Sequence, residues 1–554
     1  MGIKSITPEQ ILNSQGNPTL KVKMVADNGS SSYFVVSSGT SVGSNEAQKK
    51  TDQSDSYGGK SVTSCVDLIN KVIAPKFIGY PLGHQEDFDS LLIALDGTEN
   101  KQNLGANTIL ALSGAYFKLS AKLSKKPLWQ YIAEKQNTSP GFPKIFANII
   151  AGGKHAPGLD IQEFIIVPNI DKPTKAIEQI VQIYNTLKTI LISLYGPTAR
   201  LVSEEGAIAP VGARTEVVLE ALSNINAKLA DKFDIVLDTA ANSFYDGQLY
   251  TFEGQKIHAS DLMKIYQQFE TKFDIYAIED PFAEIDIEGI ELLKTMPKEK
   301  KPFKVFSDDY TATNKKLIEQ FGKDKIFDGI IIKPDQVGSI SEMFSAIQAA
   351  REFSQEIIVS HRSGESNDDF IVDLAYGIGA KGIKIGAPAR GERIAKYNRL
   401  LEIEYSQESL QQKIDQTNPS PNTFIEKTSA EKPVYEQGEM NQDEPQKPAT
   451  DFSNKPPMPQ QPLPTPVSTE APSAPPMPEP APVAKEQPAN PTKESMDPAI
   501  KDVTTSSNQA FDHFRGQGSS GSLSLADQMK VPGSTATNSE KENGPNPLKP
   551  LSSL

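Results

Sequence analysis

A single cysteine, Cys65, in 554 residues leaves no partner for an intramolecular disulfide, and such a chain suits a reducing compartment. Histidine is scarce as well, five in all, which argues against a histidine-rich zinc site. No run of about 18 uninterrupted apolar residues occurs, so no membrane-spanning helix is expected. The opening MGIKSITPEQILNSQGNP lacks the apolar centre of a secretory signal, and the likeness of MGIKSI to a myristoylation pattern is too short to carry weight. The cytoplasm is the expected compartment, with surface association left open. Basic residues number 56 against 70 acidic ones, a formal charge of −14, so nucleic acid held by general electrostatics is not an expected partner. An acidic chain can still collect divalent cations.

Composition changes near residue 405. More than half of the 41 prolines lie beyond that point, in runs such as KPPMPQQPLPTPVSTEAPSAPPMPEPAP. A stretch of this kind buries too little apolar surface to offset its ordering entropy, so residues 411–554 read as a disordered Pro-rich tail with polyproline II character. Two semi-apolar islands in it, AFDHFRG and SLSLADQMK, read either as chance composition or as docking motifs for an unknown protein partner.

Before the tail, two folded regions are expected. In residues 1–137 the stretch TLKVKMVADNGSSSYFVVSSG alternates like a hairpin turning at Asn28-Gly29, and helical patterns follow it. Strands first and helices afterwards indicate a small α+β domain. Residues 138–410 switch to an alternating βα pattern. Six short runs there, rich in Ile and Val, each end on or beside an ionisable residue: Asp238, Glu279 with Asp280, Asp308 with Asp309, Lys333, His361 and Lys384. Each run is too short for a buried helix and reads as an interior parallel strand, with helical stretches between. In a (β/α)8 barrel the C-terminal strand ends share one mouth. Three acids, two lysines and a histidine would then face a common cavity, a costly gathering unless a cation or substrate compensates it. The bland alternative, acids that each favour the N-terminus of the following helix, does not bring them together with two lysines.

The stretches ILNSQGNPT, SSGTSVGSNEA, LDGTENKQNLGANTIL, GGKHAPGLDIQEF, LDTAANSFY, IEDPFAE, SDDYTATN, IIKPDQVGS, SHRSGES and IKIGAPARGERIAKYNRLLEIE, in this order, resemble the enolase family from near the N-terminus to about residue 404. The resemblance implies an enolase-type (β/α)8 barrel after a small α+β domain. It also implies a lyase activity, the Mg²⁺-dependent, reversible dehydration of 2-phospho-D-glycerate to phosphoenolpyruvate in glycolysis. Asp238, Glu279 and Asp308 match the ligands of a first Mg²⁺, and Ser41 matches a loop serine that helps hold a second after substrate binds. Lys333 matches the general base and Glu205 the general acid. His361, Arg362 and Ser363 match the segment that binds the substrate's phosphate, and His155 a loop histidine that closes on it. Lys384 matches a lysine at the other end of the substrate, while Gln162 and Glu163 match polar residues near the leaving hydroxyl.

The same comparison shows departures. The acid loop reads Ser203, Glu204, Glu205, Gly206, Ala207 where Gly-Asp-Glu-Gly-Gly is usual, so it must rearrange if a lost glycine had positive φ. Asn242 and Ser243 replace Ser and Glu, Pro334 follows the expected base, and Asp335 replaces Asn. Gln15 stands where Arg is usual, and AQKKTD follows Glu46 where Glu-Leu-Arg-Asp is usual. Lost charges of this kind resemble ones that join subunits, which leaves homodimer formation open. The alternative to an enzyme is a non-catalytic enolase-like scaffold that binds partners through its Pro-rich tail.

Overall fold

The computed structural model describes residues 1–39, 43–297 and 302–417. The tail expected over 411–554 therefore lies outside the described residues from 418 onward, as does Ser41. Residues 1–397 belong to one compact unit that holds both main sheets. The last described element is the helix Gly391–Thr417. Among the described residues no helix is long and apolar enough to cross a membrane.

The N-terminal part is a three-stranded antiparallel sheet in the order β1 (Ile3–Leu12), β2 (Pro18–Ala26), β3 (Ser31–Val35). The hairpin expected at Asn28-Gly29 joins β2 to β3, with Gly29 at φ +83°. β1 was not legible because Pro8 interrupts its pattern; as an edge strand it needs no ladder hydrogen bond on its outer side. The helix Ala106–Leu123 is apolar around most of its circumference and packs on this sheet, its Gly114 lying against the ring of Phe34.

Eight strands close the barrel: β4 (Lys144–Ala151), β5 (Glu163–Pro168), β6 (Phe233–Asp238), β9 (Ile275–Glu279), β10 (Lys304–Ser307), β11 (Gly329–Ile332), β12 (Glu356–Ser360) and β13 (Gly382–Lys384). A small ribbon of β7 (Tyr250–Phe252) and β8 (Gln255–Ile257) interrupts the passage from β6 to β9. All six charge-terminated runs are parallel neighbours. Residues such as Phe146, Ile165, Val236, Phe306, Ile331 and Ile358 fill the interior. Gly382 is forced by this packing, since a Cβ there would sit 2.3 Å from the ring of Phe146.

The alternating βα reading fails at the start of the barrel. β5 is antiparallel to both β4 and β6, and two helices, Pro173–Tyr195 and Thr215–Lys228, follow it in succession. Residues 152–162 are too few for the helical crossover that parallel strands require, so β4 and β5 form a hairpin instead. The consequence is functional. Because β5 runs backwards, its first residue, Glu163, lies at the mouth where the other strands end.

Candidate functional site

Register places the acids side by side. Glu163 on β5 pairs with Asp238 on β6, and Asp238 pairs with Glu279 on β9. Three carboxylates thus stand in one row at the rim, all almost fully buried. Lys384, the last residue of β13, reaches across the mouth to all three: its Nζ lies 2.8 Å from Asp238 Oδ2, 3.0 Å from Glu279 Oε2 and 3.0 Å from Glu163 Oε2. One lysine does not neutralise three acids. Burial pushes Glu279 up to about 8, with Asp238 adding to the rise and Lys384 opposing it. Glu163 is likewise raised well above the carboxylate range by burial, and by Glu205, Asp238 and Glu279, against the pull of Lys384.

Asp308 follows β10 and Lys333 follows β11, and the two side chains are paired. Gln336 Nε2 donates to the other Asp308 oxygen at 2.9 Å. Lys333 is extended at φ −128°, and Pro334 opens the short helix Pro334–Val337 immediately after it, so the proline costs nothing there. Burial pushes Lys333 down, but Asp308 outweighs it and the ammonium is held above its ordinary range. Asp280 is a builder of the turn: its two oxygens accept from the amides of Asp308 at 3.0 Å and Asp309 at 2.9 Å.

The carboxylate oxygens gathered at this rim fit a hard divalent cation. Ligand oxygens of Glu279, Asp280 and Asp308 lie within 4.8 Å of one another, and Asp238 stands beside Glu279 in the ladder. The excess of buried negative charge that raises Glu279 is what Mg²⁺ with its oxygen preference would relieve.

Glu205 is brought in by the loop between the two successive helices. The segment after it runs beside the end of β4, with the Ala151 amide donating to Ile208 and the Ile208 amide to Ile149. The altered loop needs no rearrangement. Only Gly206 has positive φ, +81°, and that glycine is retained; Ser203 and Ala207 occupy ordinary backbone. The loop closes on itself through Ser203 N to Ala207 O at 2.8 Å and Gly206 N to Ser203 O at 3.0 Å. Glu204 does not displace its neighbour, because its carboxylate accepts from Gln15 Nε2 of the N-terminal part. Two departures from the usual pattern therefore meet each other.

Around Glu205, Asn148 Nδ2 donates at 3.1 Å, His361 Nε2 lies at 3.5 Å and His155 Nδ1 at 3.9 Å. Arg393, fully buried, approaches His361 Nδ1 at 2.6 Å and donates to the carbonyls of Arg362 at 2.6 Å and Ser363 at 2.7 Å. A guanidinium only donates, so His361 Nδ1 accepts and Nε2 carries the proton toward Glu205. Burial pushes His361 down to about 4, against Glu205, with Arg393 adding to the fall. At neutral pH His361 is therefore an N–H donor. Burial alone would raise Glu205, but His361, His155 and Arg393 hold it well below the usual range. Carboxylate oxygens of Glu163 and Glu205 lie within 4.8 Å of each other, with His155 beside them.

His155 is folded inward, its side chain 6% exposed, and its Nδ1 is 3.6 Å from Glu163 Oε1. Among the described residues His155 Nδ1 and Gln162 Oε1 are buried without a hydrogen-bond partner, both beside the cavity. Arg362 Nη2 donates to both oxygens of Glu46 at 3.0 and 3.1 Å. One cavity is lined by His155, Gln162, Glu163, Glu205, Asp238, Asp308, Lys333, His361, Arg362, Ser363 and Lys384. Glu279 adjoins it through Lys384. Every expected site residue except Ser41, outside the described residues, is thus brought together. Sequence reading missed Glu46, Asn148, Gln336 and Arg393. Asn148 alone left a signal, a polar residue inside the buried run KIFANIIA of β4.

Residues 3–132 match the family description "Enolase, N-terminal domain", and residues 141–415 match "Enolase, C-terminal TIM barrel domain". Similar proteins include the enolase of Methanococcus maripaludis strain S2, 38% identical over 410 residues, which covers 73% of this chain and 95% of that protein. The enolase of Elusimicrobium minutum is 39% identical over 409 residues, with 73% and 95% covered. That of Thermococcus kodakarensis is 37% identical over 416 residues, with 74% and 96% covered.

Proposed function

The chain belongs to the enolase family, a family of lyases, and on that premise we propose that it catalyses the reversible dehydration of 2-phospho-D-glycerate to phosphoenolpyruvate. The observation that carries this reading is that Lys333, Glu163 and Glu205 line one cavity with Asp238 and Asp308, with Glu279 beside Asp238 in the ladder. Arg362, Ser363 and His155 bind the phosphate, where a guanidinium and a hydroxyl suit a dianion. Lys384 binds the carboxylate end. Lys333 removes the proton alpha to that carboxylate, and the Glu163–Glu205 pair delivers a proton to the hydroxyl leaving from the next carbon. His361, fixed as a donor by Arg393, keeps Glu205 in place while the proton moves. Asp238, Glu279 and Asp308 would hold a Mg²⁺ that would supply positive charge for the enolate dianion and would offset the Asp308 charge beside Lys333, and Ser41 would contribute to a second, substrate-dependent ion.

A scaffold without activity drew its support from the altered acid loop and from the long tail; the loop keeps Glu205 buried and hydrogen-bonded, and the tail lies outside the described residues from 418 onward. The test is the absorbance of phosphoenolpyruvate formed from 2-phosphoglycerate. Turnover is expected with Mg²⁺ and none with EDTA; a folded chain inert at saturating Mg²⁺ overturns the reading.

We also propose the division into a capping domain (1–137), a catalytic barrel (138–410) and an appended tail (411–554). The family match ends at residue 415. Deleting residues 418–554 is therefore expected to leave kcat and KM near those of the full chain in the same assay, and a collapse of turnover would make the tail part of the enzyme.

A further inference from the structure

An anionic substrate has to find positive charge in a cavity that is already rich in acid. Carboxylates outnumber lysines and arginine on the cavity wall by seven to four, so most of the positive charge there is already engaged. Lys333 is paired with Asp308, Arg362 with Glu46 and Asp335, and Lys384 with three carboxylates. The fourth cation is Lys154. It lines the same cavity, is exposed, and among the described residues its ammonium makes no ion pair or hydrogen bond.

Local backbone decides where that ammonium can go. Residues 152–162 link β4 to β5, and the amides of His155 and Ala156 close a turn at their start by donating to the carbonyl of Gly152 at 2.9 and 3.1 Å. Across the loop the amide of Gly153 donates to the carbonyl of Leu159 at 2.6 Å, with Gly153 at φ +53°. No side chain fits at Gly152, where a Cβ would sit 2.4 Å from the carbonyl oxygen of Ile161. The two glycines let the loop double back on itself, and the two residues after them are delivered to the cavity. His155 turns its side chain in beside Glu163 and Glu205, whereas Lys154 stays in water at the rim. Exposed charges add little to stability even when paired, so the fold has no need of an ammonium here. An arriving anion does. An unpaired lysine offers it positive charge without first breaking an ion pair.

We propose that Lys154 is a binding residue for the substrate's phosphate, meeting it from the solvent side while Arg362, Ser363 and His155 meet it from within; this role rests on the enzymatic reading above. In Lys154→Gln, kcat/KM for 2-phosphoglycerate is expected to fall about fivefold at an ionic strength of ~0.1 M, with kcat at saturation unchanged. Lys154→Glu should lose about 20-fold, because the charge reverses. Lys154→Arg should stay within about twofold of the parent, since a phosphate accepts either cation. At ~1 M salt the Debye length falls to ~3 Å, and parent and variants should converge. Calorimetric titration of the full chain with inorganic phosphate in Mg²⁺ should rank the affinities in the same order. Lys264→Gln, at an exposed position on the helix Ala259–Phe273, changes the net charge equally and should leave both quantities at parent values.

Unchanged kcat/KM and phosphate affinity in Lys154→Gln would overturn the proposal. So would a loss matched by Lys264→Gln, which would be an effect of net charge alone. A loss shared by Lys154→Arg and indifferent to salt would mark a disturbed loop and would overturn it equally. The two readings fail separately. Phosphate affinity that falls as described in a chain without turnover defeats the enzymatic reading alone, and normal turnover with none of these changes defeats the role of Lys154 alone.

Discussion

Lys333→Ala is expected to lower kcat for 2-phosphoglycerate dehydration on the order of 10³-fold or more, while the protein stays folded and still binds inorganic phosphate. A proton alpha to a carboxylate is very weakly acidic, and two of the other cations lining the cavity are poorly placed to take over. Lys384 is engaged by three carboxylates, and Arg362 does not lose its proton near neutral pH. Glu205→Gln should produce a loss of similar size with a different signature. Glutamine keeps the hydrogen bond from Asn148 but cannot pass a proton, so proton abstraction persists when the departure of the hydroxyl fails. Exchange of the substrate's alpha hydrogen with deuterated solvent separates the two, since it should survive in Glu205→Gln and vanish in Lys333→Ala. Turnover retained by both variants would remove the assigned base and acid. Exchange surviving in Lys333→Ala would place the base elsewhere.

How far the sequence reached follows from which physical signals are local. The six strands ending at Asp238, Glu279, Ser307, Ile332, Ser360 and Lys384 were legible because a short Ile- and Val-rich run closed by a charge has few other uses. The direction of β5 was not, since EFIIVP reads the same whichever way it runs; only the short link from β4 betrays it. That reversal is what sets Glu163 in the row with Asp238 and Glu279, so the composition of the site was legible before its geometry. The acid loop shows the opposite case. Loss of two glycines looked disruptive, yet the conformational demand fell on Gly206 alone. Compensation between Gln15 and Glu204, or between Lys49 and Asp335, connects positions far apart in the chain, and no periodicity records such a meeting. Arg393 escaped notice for the same reason. Its contacts to His361, Arg362 and Ser363 exist only once the barrel has closed.

Lys384→Met should destabilise the protein by about 3–5 kcal/mol, the cost of removing one partner from a buried ion-pair cluster. The side chain lies within 3.0 Å of oxygens on Glu163, Asp238 and Glu279, and a thioether of similar length fills the space without the charge. The sign of the pH dependence follows from Glu279. Its folded value of about 8 stands above its ordinary 4.5, so the folded state binds the proton more tightly than the unfolded chain. The stability this contributes is complete below about 4.5 and is lost as pH rises through about 8. Lys384 lowers Glu279, so without it the carboxylate is raised further, and the deficit in the variant should widen as pH rises through about 8 and above. Mg²⁺ tests the cause. If these oxygens take a cation, the ion should stabilise the variant more than the parent, because the lysine no longer competes for them. Ion at about 100 times its Kd is worth about 2.7 kcal/mol by mass action, enough to recover most of the deficit. Thermal melts with and without Mg²⁺ at about pH 6 and about pH 9 would read both effects. A variant as stable as the parent, or one that Mg²⁺ leaves unmoved, would mean that the row of acids does not hold the metal and that the site's charge is balanced in another way.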